Sequence, residues 1–201
     1  DLAPTSAVEV AYPVGVLARA ANPEAAAAVR AEVDAVLGDR VPTTDDLRAL
    51  PLTLGAVHEV DGIERIRFAS PHPRHTSGRL IEAVRDLPKV CKHFHLPVQS
   101  GSTRVLGEMR RRHTRDEYLD LVARIRAAIP KVQLSTDIIV GFPGETDADF
   151  EETLSLTAAV RYHSMFSFKY SERPNTLASK RMPDEATEQE KTRRIVALSG
   201  D

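Results

Sequence analysis

The sequence predicts an α/β fold in which parallel strands alternate with helices. Four apolar segments with strand character begin roughly thirty to forty residues apart, and a helical pattern follows each of them. The predicted strands are Ile63–Ala69, Phe94–Val98, Leu134–Val140 and Met165–Tyr170. This alternation is typical of a parallel sheet with right-handed crossovers, either an open doubly wound sheet or part of a (β/α) barrel.

The secondary structure predicted for the start of the chain differs from that predicted for the rest. Residues 1–53 are predicted to be helix-rich, with a helix over 23–37, a shorter helix that ends at Pro51 and a short strand at Val8–Ala11. Regular alternation occupies the second predicted region, 54–201. We therefore expect a helix-rich segment followed by one α/β domain.

Capping residues mark where the later helices begin. Side chains that accept hydrogen bonds from free helix N–H groups precede each apolar helical pattern, and some have a glutamate three residues later. The predicted caps are Thr76 or Ser77, Ser102 before a helix from Thr103, Thr114 with Glu117, Thr146, and Thr187 with Glu190.

Composition and charge narrow the functional classes. The 201 residues are 42% hydrophobic and 28% charged, which is enough for one sizeable core. Because the net charge is −2, contact with nucleic acid would need a local basic patch. No signal peptide or membrane segment is evident, so we expect no membrane association. The first residue is Asp1 rather than methionine, which suggests a fragment or a processed start.

Cysteine usage is minimal. Cys91 is the single cysteine, which excludes an intrachain disulfide and a metal site built from cysteines of this chain alone. It precedes a predicted strand and is interpreted as a small buried residue. The expected compartment is the reducing cytoplasm.

The turn after the third predicted strand is the strongest candidate for a binding loop. Gly141, Pro143 and Gly144 allow a sharp bend and a close approach to a ligand, although they match neither GxGxxG nor a nucleotide P-loop. A generic tight turn is the alternative. Glu145 could accept a hydrogen bond from a ligand amine or hydroxyl, or could only complement the helix dipole.

Polar residues also follow the second predicted strand. His93, His95 and Gln99 share one face, which indicates either a lined cavity or hydrogen-bonded core histidines. A metal shared by the two histidines lacks a third ligand with suitable spacing. Ser100 and Ser102 could bind a ribose hydroxyl, carboxylate or phosphate, and Ser102 could equally be a helix cap.

Two arginine positions could bind anions. Arg110–Arg115 is the only dense basic run, and Arg111 within it could bind a carboxylate or phosphate or complement the dipole of the preceding helix. Arg173 follows the last predicted strand, at the same expected rim.

Five sequence strings together resemble one family. RFASPHP, VCKHFHLPVQSGS, RRRHTRDEY, STDIIVGFPGETDADF and FKYSERPNTLASKRMPDE occur in an order and spacing similar to those of the radical S-adenosylmethionine methylthiotransferases. The resemblance covers roughly residues 55–198 and is greatest to the branch that acts on N6-isopentenyladenosine in tRNA. It implies that the chain forms the later part of a radical S-adenosylmethionine barrel of TIM type.

The resemblance also implies cofactors and site residues. Family members use S-adenosylmethionine and [4Fe–4S] clusters held by cysteine thiolates, one of them in CxxxCxxC, and this chain has neither cysteine set. On matching positions, residues expected to border S-adenosylmethionine are Gln99, Ser100, Ser102, Arg111, Ile139, Gly141 and Glu145. Those expected at the mouth or near substrate are Ser70, His72 and Arg173. No catalytic residue and no metal ligand is assigned.

The function implied is the addition of a methylthio group to C2 of N6-isopentenyladenosine beside a tRNA anticodon. Alternatives are methylthiolation of an aspartate of a ribosomal protein, or a non-catalytic remnant that binds S-adenosylmethionine weakly. Without cluster ligands the chain alone is expected to be inactive. An open sheet edge is expected to promote self-association.

Overall fold

The computed structural model describes residues 7–10, 16–20, 27, 46–69, 72–172, 178 and 186–199. The chain divides into two compact units. The first comprises Asp1–His95 and Ile125–Val132, and the second comprises Leu96–Arg124 and Gln133–Asp201. None of the helices in the described ranges is long and apolar enough to cross a membrane.

The first unit contains a three-stranded antiparallel sheet. Its strands, in spatial order, are β1 (Ala7–Val10), β2 (Val16–Ala20) and β3 (Ile63–Phe68). Between β2 and β3 lies α1 (Asp46–Glu59), and Leu54 and Val57 of this helix are fully buried. These apolar residues explain why α1 continues to Glu59.

Beyond β3 the first unit returns to α/β alternation. A 3₁₀ turn at Pro73–His75 leads to α2 (Gly78–Asp86), where the Ser77 hydroxyl accepts a hydrogen bond from the Leu80 amide at 3.2 Å. Next comes β4 (His93–His95), whose Phe94 ring packs edge-on against Phe68 with centroids 5.5 Å apart. The cap and the strand were predicted.

Several predictions for the first unit need correction. Pro51 lies inside α1 rather than ending it, because burial of the apolar face outweighs the lost hydrogen bond. The segment predicted to be helix-rich also contains the β1–β2 hairpin, of which only β1 was expected. β3 was expected in a parallel sheet, and its Ile66 does form a parallel bridge with Val90. Its pairing with β2 in antiparallel register was not expected. Apart from Ala27, which is helical, the predicted helix 23–37 lies outside the described residues.

The second unit is built around a parallel pair of strands. Its elements are α3 (Thr103–Glu108), most of α4 (Arg115–Ala128), β5 (Gln133–Val140), α5 (Asp147–Val160), β6 (Ser164–Lys169) and α6 (Glu188–Ser199). β5 pairs in parallel with β6, which confirms the predicted direction of these strands.

The segment 96–99 runs along the other edge of β5. The Leu96 amide donates to the Ser135 carbonyl at 2.8 Å, and the Gln99 amide donates to the Asp137 carbonyl at 2.9 Å. The Ile139 amide in turn donates to the Gln99 carbonyl at 2.9 Å. These bonds bring the loop after residue 98 to the carboxyl end of β5.

Alternation along β5 gives the strand two different faces. Leu134, Thr136, Ile138 and Val140 are at most 2% exposed, whereas Asp137 and Ile139 on the opposite face are half-buried. Register places Asp137 beside Phe166 and Ile139 beside Phe168. The half-buried face therefore carries polar and aromatic side chains toward the carboxyl end.

Candidate functional site

A pocket of about 490 Å³ lies in the second unit where β5 and β6 end. Its size is within the range of small-molecule sites. The lining residues are Gln99, Met109, Arg111, Asp137, Ile139, Phe142, Phe168, Lys169, Tyr170, Ser171 and Ala178.

Gln99 lines the pocket and has a strained backbone conformation. Its φ is +75°, in the left-handed region that favours glycine, and the residue is 6% exposed. Both of its backbone polar groups are bonded to β5, at Asp137 and Ile139. Strain of this kind persists where surrounding hydrogen bonds determine the backbone, and it is common at ligand sites.

Two residues of opposite charge line the pocket. Arg111 and Asp137 are both half-buried, and Asp137 is the charge that acts on Arg111 most directly. Burial lowers the pKa of Arg111, and the carboxylate of Asp137 opposes that shift. Since arginine remains protonated, the pocket offers a cation and an anion, which suits a ligand with both an acidic and a basic group.

Much of the remaining lining is apolar or aromatic. The rings of Phe142 and Tyr170 pack edge-on with centroids 5.3 Å apart, and Ile139 also lines the pocket. Phe168 is 52% exposed, so its ring is accessible to a ligand. Such a wall can hold a flat heterocycle by stacking and dispersion contacts.

The Gly141–Glu145 turn is stabilised behind this wall. Gly141 has a φ of +73°, and its amide donates to Oε2 of Glu145 at 2.6 Å. Nη1 of Arg194 donates to the same oxygen at 2.7 Å, and the side chains of Arg194 and Glu145 are 4% and 1% exposed. Burial raises the pKa of Glu145, while the Gly141 amide and Arg194 oppose this. Glu145 therefore fixes the turn internally.

A buried network joins the loop at residues 99–102 to α5. The Gly101 amide donates to Thr153 Oγ1 at 2.9 Å, and the Ser102 hydroxyl donates to Asp149 Oδ1 at 2.7 Å. The Ser102 amide donates to the Ser100 hydroxyl at 3.2 Å. Ser100 and Ser102 are 0% and 1% exposed. Their hydroxyls thus serve the protein's own hydrogen bonding.

Asp149 connects this loop to the following turn. Arg104 donates to its carboxylate and also, at 2.6 Å, to the Gly144 carbonyl. Burial opposes ionisation, but hydrogen bonds from Arg104, Thr146 and Ser102 outweigh it and hold the pKa of Asp149 well below its usual range. The two glycine-containing loops therefore lie at the same end of the sheet.

The predicted site residues separate into five groups. Gln99, Arg111 and Ile139 line the pocket, and Gly141 with Glu145 forms the turn behind it. Ser100 and Ser102 lie in the buried network. His72 belongs to the first unit, where its ring accepts from the Arg74 amide at 3.2 Å. Ser70 and Arg173 lie outside the described residues. The ligand roles of all ten remain predictions.

Sequence reasoning missed several pocket-lining residues. Asp137, Lys169 and Tyr170 line the pocket but were not singled out, whereas Phe142 lies in the segment 139–145 that the resemblance places beside the adenine. The alternation of β5 carried a signal for Asp137, since a charged residue inside a buried apolar strand is unusual. The aromatic residues gave no such signal, because aromatic residues are common in strands.

Comparison with known proteins identifies the class. A sequence profile describing the Radical SAM superfamily matches residues 24–157, so the chain belongs to that superfamily. Coproporphyrinogen III oxidase (HemN) from Escherichia coli, itself a Radical SAM enzyme, has a similar fold. That match has a TM-score of 0.58 at 17% identity and covers 78% of this chain and 36% of that one.

Several proteins with higher sequence identity to this chain are named tRNA-2-methylthio-N(6)-dimethylallyladenosine synthase. The protein from Pelotomaculum thermopropionicum is 50% identical over 145 residues, which cover 72% of this chain and 32% of the relative. The protein from Geotalea uraniireducens is 51% identical over 145 residues, covering 72% and 33%. The chain thus spans about a third of the length of these relatives.

Membership of the superfamily implies S-adenosylmethionine and a [4Fe–4S] cluster. The residues of this chain fit S-adenosylmethionine but do not fit the cluster. The mixed-charge and aromatic walls suit a ligand that carries an amino acid and an adenine. The cluster needs several thiolates, whereas Cys91 is the chain's single cysteine. In the described ranges no three histidine, cysteine or acidic side chains are grouped to hold a metal.

Proposed function

We propose that this chain contributes the S-adenosylmethionine pocket of a tRNA methylthiotransferase that modifies C2 of N6-isopentenyladenosine beside the anticodon by radical chemistry. The main support for the proposal is the sequence identity of about 50% between this chain and relatives that are named for that product. The aromatic and charged pocket at the carboxyl ends of β5 and β6 supports it. The corresponding partners are S-adenosylmethionine and a tRNA anticodon stem-loop, and the proposed compartment is the cytoplasm.

In the proposed site the pocket residues bind and orient S-adenosylmethionine. Arg111 would pair with the carboxylate of the amino-acid moiety, and Asp137 would attract its ammonium group. Phe142 and Tyr170 would pack against the adenine, next to Ile139. Substrate contacts remain proposed, from the resemblance alone, for Ser70, His72 and Arg173. No chemical step is assigned to a side chain of this chain, and its single cysteine cannot supply the several thiolates that the cluster needs.

A chimeric enzyme tests this proposal. Residues 54–199 of this chain would replace the homologous segment of the Pelotomaculum thermopropionicum relative, which then supplies the remaining parts. We expect the chimera to form the 2-methylthio nucleoside in tRNA, measured by mass spectrometry of digested tRNA. A chimera that folds and binds its clusters but leaves tRNA unmodified would contradict the proposal. Methylthiolation of a ribosomal-protein aspartate instead would support the sister activity.

A non-catalytic role for the chain alone is the second candidate, favoured by its single cysteine. After anaerobic reconstitution with iron and sulfide we expect no cluster absorbance and no 5′-deoxyadenosine. A stoichiometric cluster would refute this candidate. Retained binding of S-adenosylmethionine by the same sample would support it.

We also propose self-association through the open edge of the sheet at β6. In the described ranges β6 pairs with β5 on one side, and Phe166 of β6 is 55% exposed. Open edges and exposed aromatic residues favour pairing with a second copy. Analytical ultracentrifugation should show a concentration-dependent dimer that Phe166→Lys weakens. A monomer at all concentrations would contradict this.

A further inference from the structure

Side chains of α6 contact the segments that line the pocket. Lys191 and Arg194 of this helix are 2% and 3% exposed, although lysine and arginine are rarely buried unless paired. Each is directed at a segment that forms a pocket wall. We infer that these two residues are positioning residues that hold the Gly141–Glu145 turn and Tyr170 in the ligand-binding arrangement.

The contact with the turn is a buried ion pair. Arg194 donates to Oε2 of Glu145 at 2.7 Å, and the amide of Gly141 donates to that same oxygen at 2.6 Å. Since Glu145 connects Gly141 to α6, loss of the guanidinium would leave a buried carboxylate without its counter-charge. Glu145 would then turn toward water and release the Gly141 amide.

The contact with Tyr170 is made by Lys191. Its Nζ donates to the Tyr170 carbonyl at 3.1 Å and lies 5.9 Å from the centroid of the tyrosine ring. The aliphatic part of the side chain packs on the turn: a Cβ at Gly141 would lie 2.5 Å from Lys191 Cγ. Position 141 is therefore limited to glycine both by its positive φ and by this packing.

These contacts join α6 to two of the pocket-lining segments. Phe142 lies within the turn held by Arg194, and its ring packs on Tyr170, which Lys191 holds. Displacement of α6 would therefore widen the aromatic wall while leaving the strands in place. The inference rests on the proposed S-adenosylmethionine pocket for its ligand, but the ordering of the turn can be measured without any ligand.

The test compares Arg194→Met with the neighbouring Arg193→Met in the 201-residue chain. Arg193 also forms ion pairs, with Asp147 and Glu190, but its side chain is 64% exposed, so it is a matched control. Hydrogen exchange is followed by NMR without ligand. We expect the Gly141 amide to exchange at least about tenfold faster in Arg194→Met, while the Leu106 amide of α3 is unchanged. Arg194→Lys should restore much of the protection.

Two results would overturn the inference. An unchanged Gly141 amide in Arg194→Met would show that α6 does not hold the turn. Equal acceleration of every amide in the second unit would show a general loss of stability instead. The dissociation constant of S-adenosylhomocysteine, used as the binding probe, should rise roughly tenfold in Arg194→Met and stay unchanged in Arg193→Met. A wild-type chain that fails to bind the probe would contradict the proposed function, and hydrogen exchange alone would then decide the role of α6.

Discussion

Gly101 is the position where a single methyl group should disturb the site most clearly. A Cβ built there would lie 2.4 Å from Cα of Thr153, 2.5 Å from the Glu152 carbonyl oxygen and 2.7 Å from the Thr153 nitrogen. All three are backbone atoms of α5, which cannot rotate away. Since nonbonded carbon atoms prefer about 3.5–4.0 Å, Gly101→Ala must separate the loop from α5 by about 1 Å.

The energetic cost follows from what that separation breaks. The Gly101 amide would lose its 2.9 Å bond to Thr153, and the nearby bond from Ser102 to Asp149 would lengthen. Overpacking costs about 1–3 kcal/mol, and a buried group left without its hydrogen bond costs about 1–3 kcal/mol. We therefore expect the free energy of unfolding to fall by about 2–6 kcal/mol and Tm by roughly 4–24 °C.

Thermal and urea denaturation followed by circular dichroism measure this effect. Gly107→Ala is the matched control, because Gly107 lies in α3 and a Cβ there would meet nothing within 4 Å. Alanine within a helix should leave stability unchanged or raise it by about 0.5–1 kcal/mol. If Gly101→Ala is as stable as Gly107→Ala, the close approach of the loop to α5 is wrong.

Three further predictions concern Asp149, Gln99 and the pocket charges. The pKa of Asp149 is lower in the folded state than its value of about 4 in the unfolded chain. The ionised Asp149 therefore stabilises the fold above about pH 4, and this stabilisation is lost as the pH falls further. In urea titrations Asp149→Asn should therefore be less stable than the wild type at pH 7, with a gap that narrows toward pH 3; a constant gap would count against this. Gln99→Gly should be more stable than Gln99→Ala by about 1 kcal/mol, since only glycine adopts the φ of +75° without strain, and equal stabilities would contradict that explanation. Arg111→Met should weaken S-adenosylmethionine binding by roughly tenfold or more in calorimetry, as expected for loss of a charge-assisted hydrogen bond, whereas the exposed Arg112→Met should have no effect.

The parts of the fold with strong local signals were predictable from the sequence. β5 is an apolar, β-branched run that ends at a glycine, and Thr146 with Asp149 forms a capping box at the start of α5. The cap of α2 at Ser77 and the box joining Thr114 and Glu117 are equally local. Elements of this kind follow from short-range chemistry, because each stop or start signal lies within a few residues of the boundary it sets.

Features that depend on distant partners were not predictable. β2 was missed because a short strand carries little periodic signal, and the antiparallel register of β3 depends on that strand. Lys191 and Arg194 were missed because charged residues are normally assigned to the solvent face. Their spacing with Leu198, at intervals of three and four, placed them on the buried face of α6 and could have indicated their role.

We propose above that the loops following residue 98 and Val140 form one S-adenosylmethionine pocket. An NMR titration of the isotope-labelled chain with S-adenosylmethionine tests it directly. The amide signals of Gln99, Ile139 and Phe142 should shift together and fit a single dissociation constant. Shifts confined to other parts of the chain, or none at concentrations well above that of the protein, would contradict it.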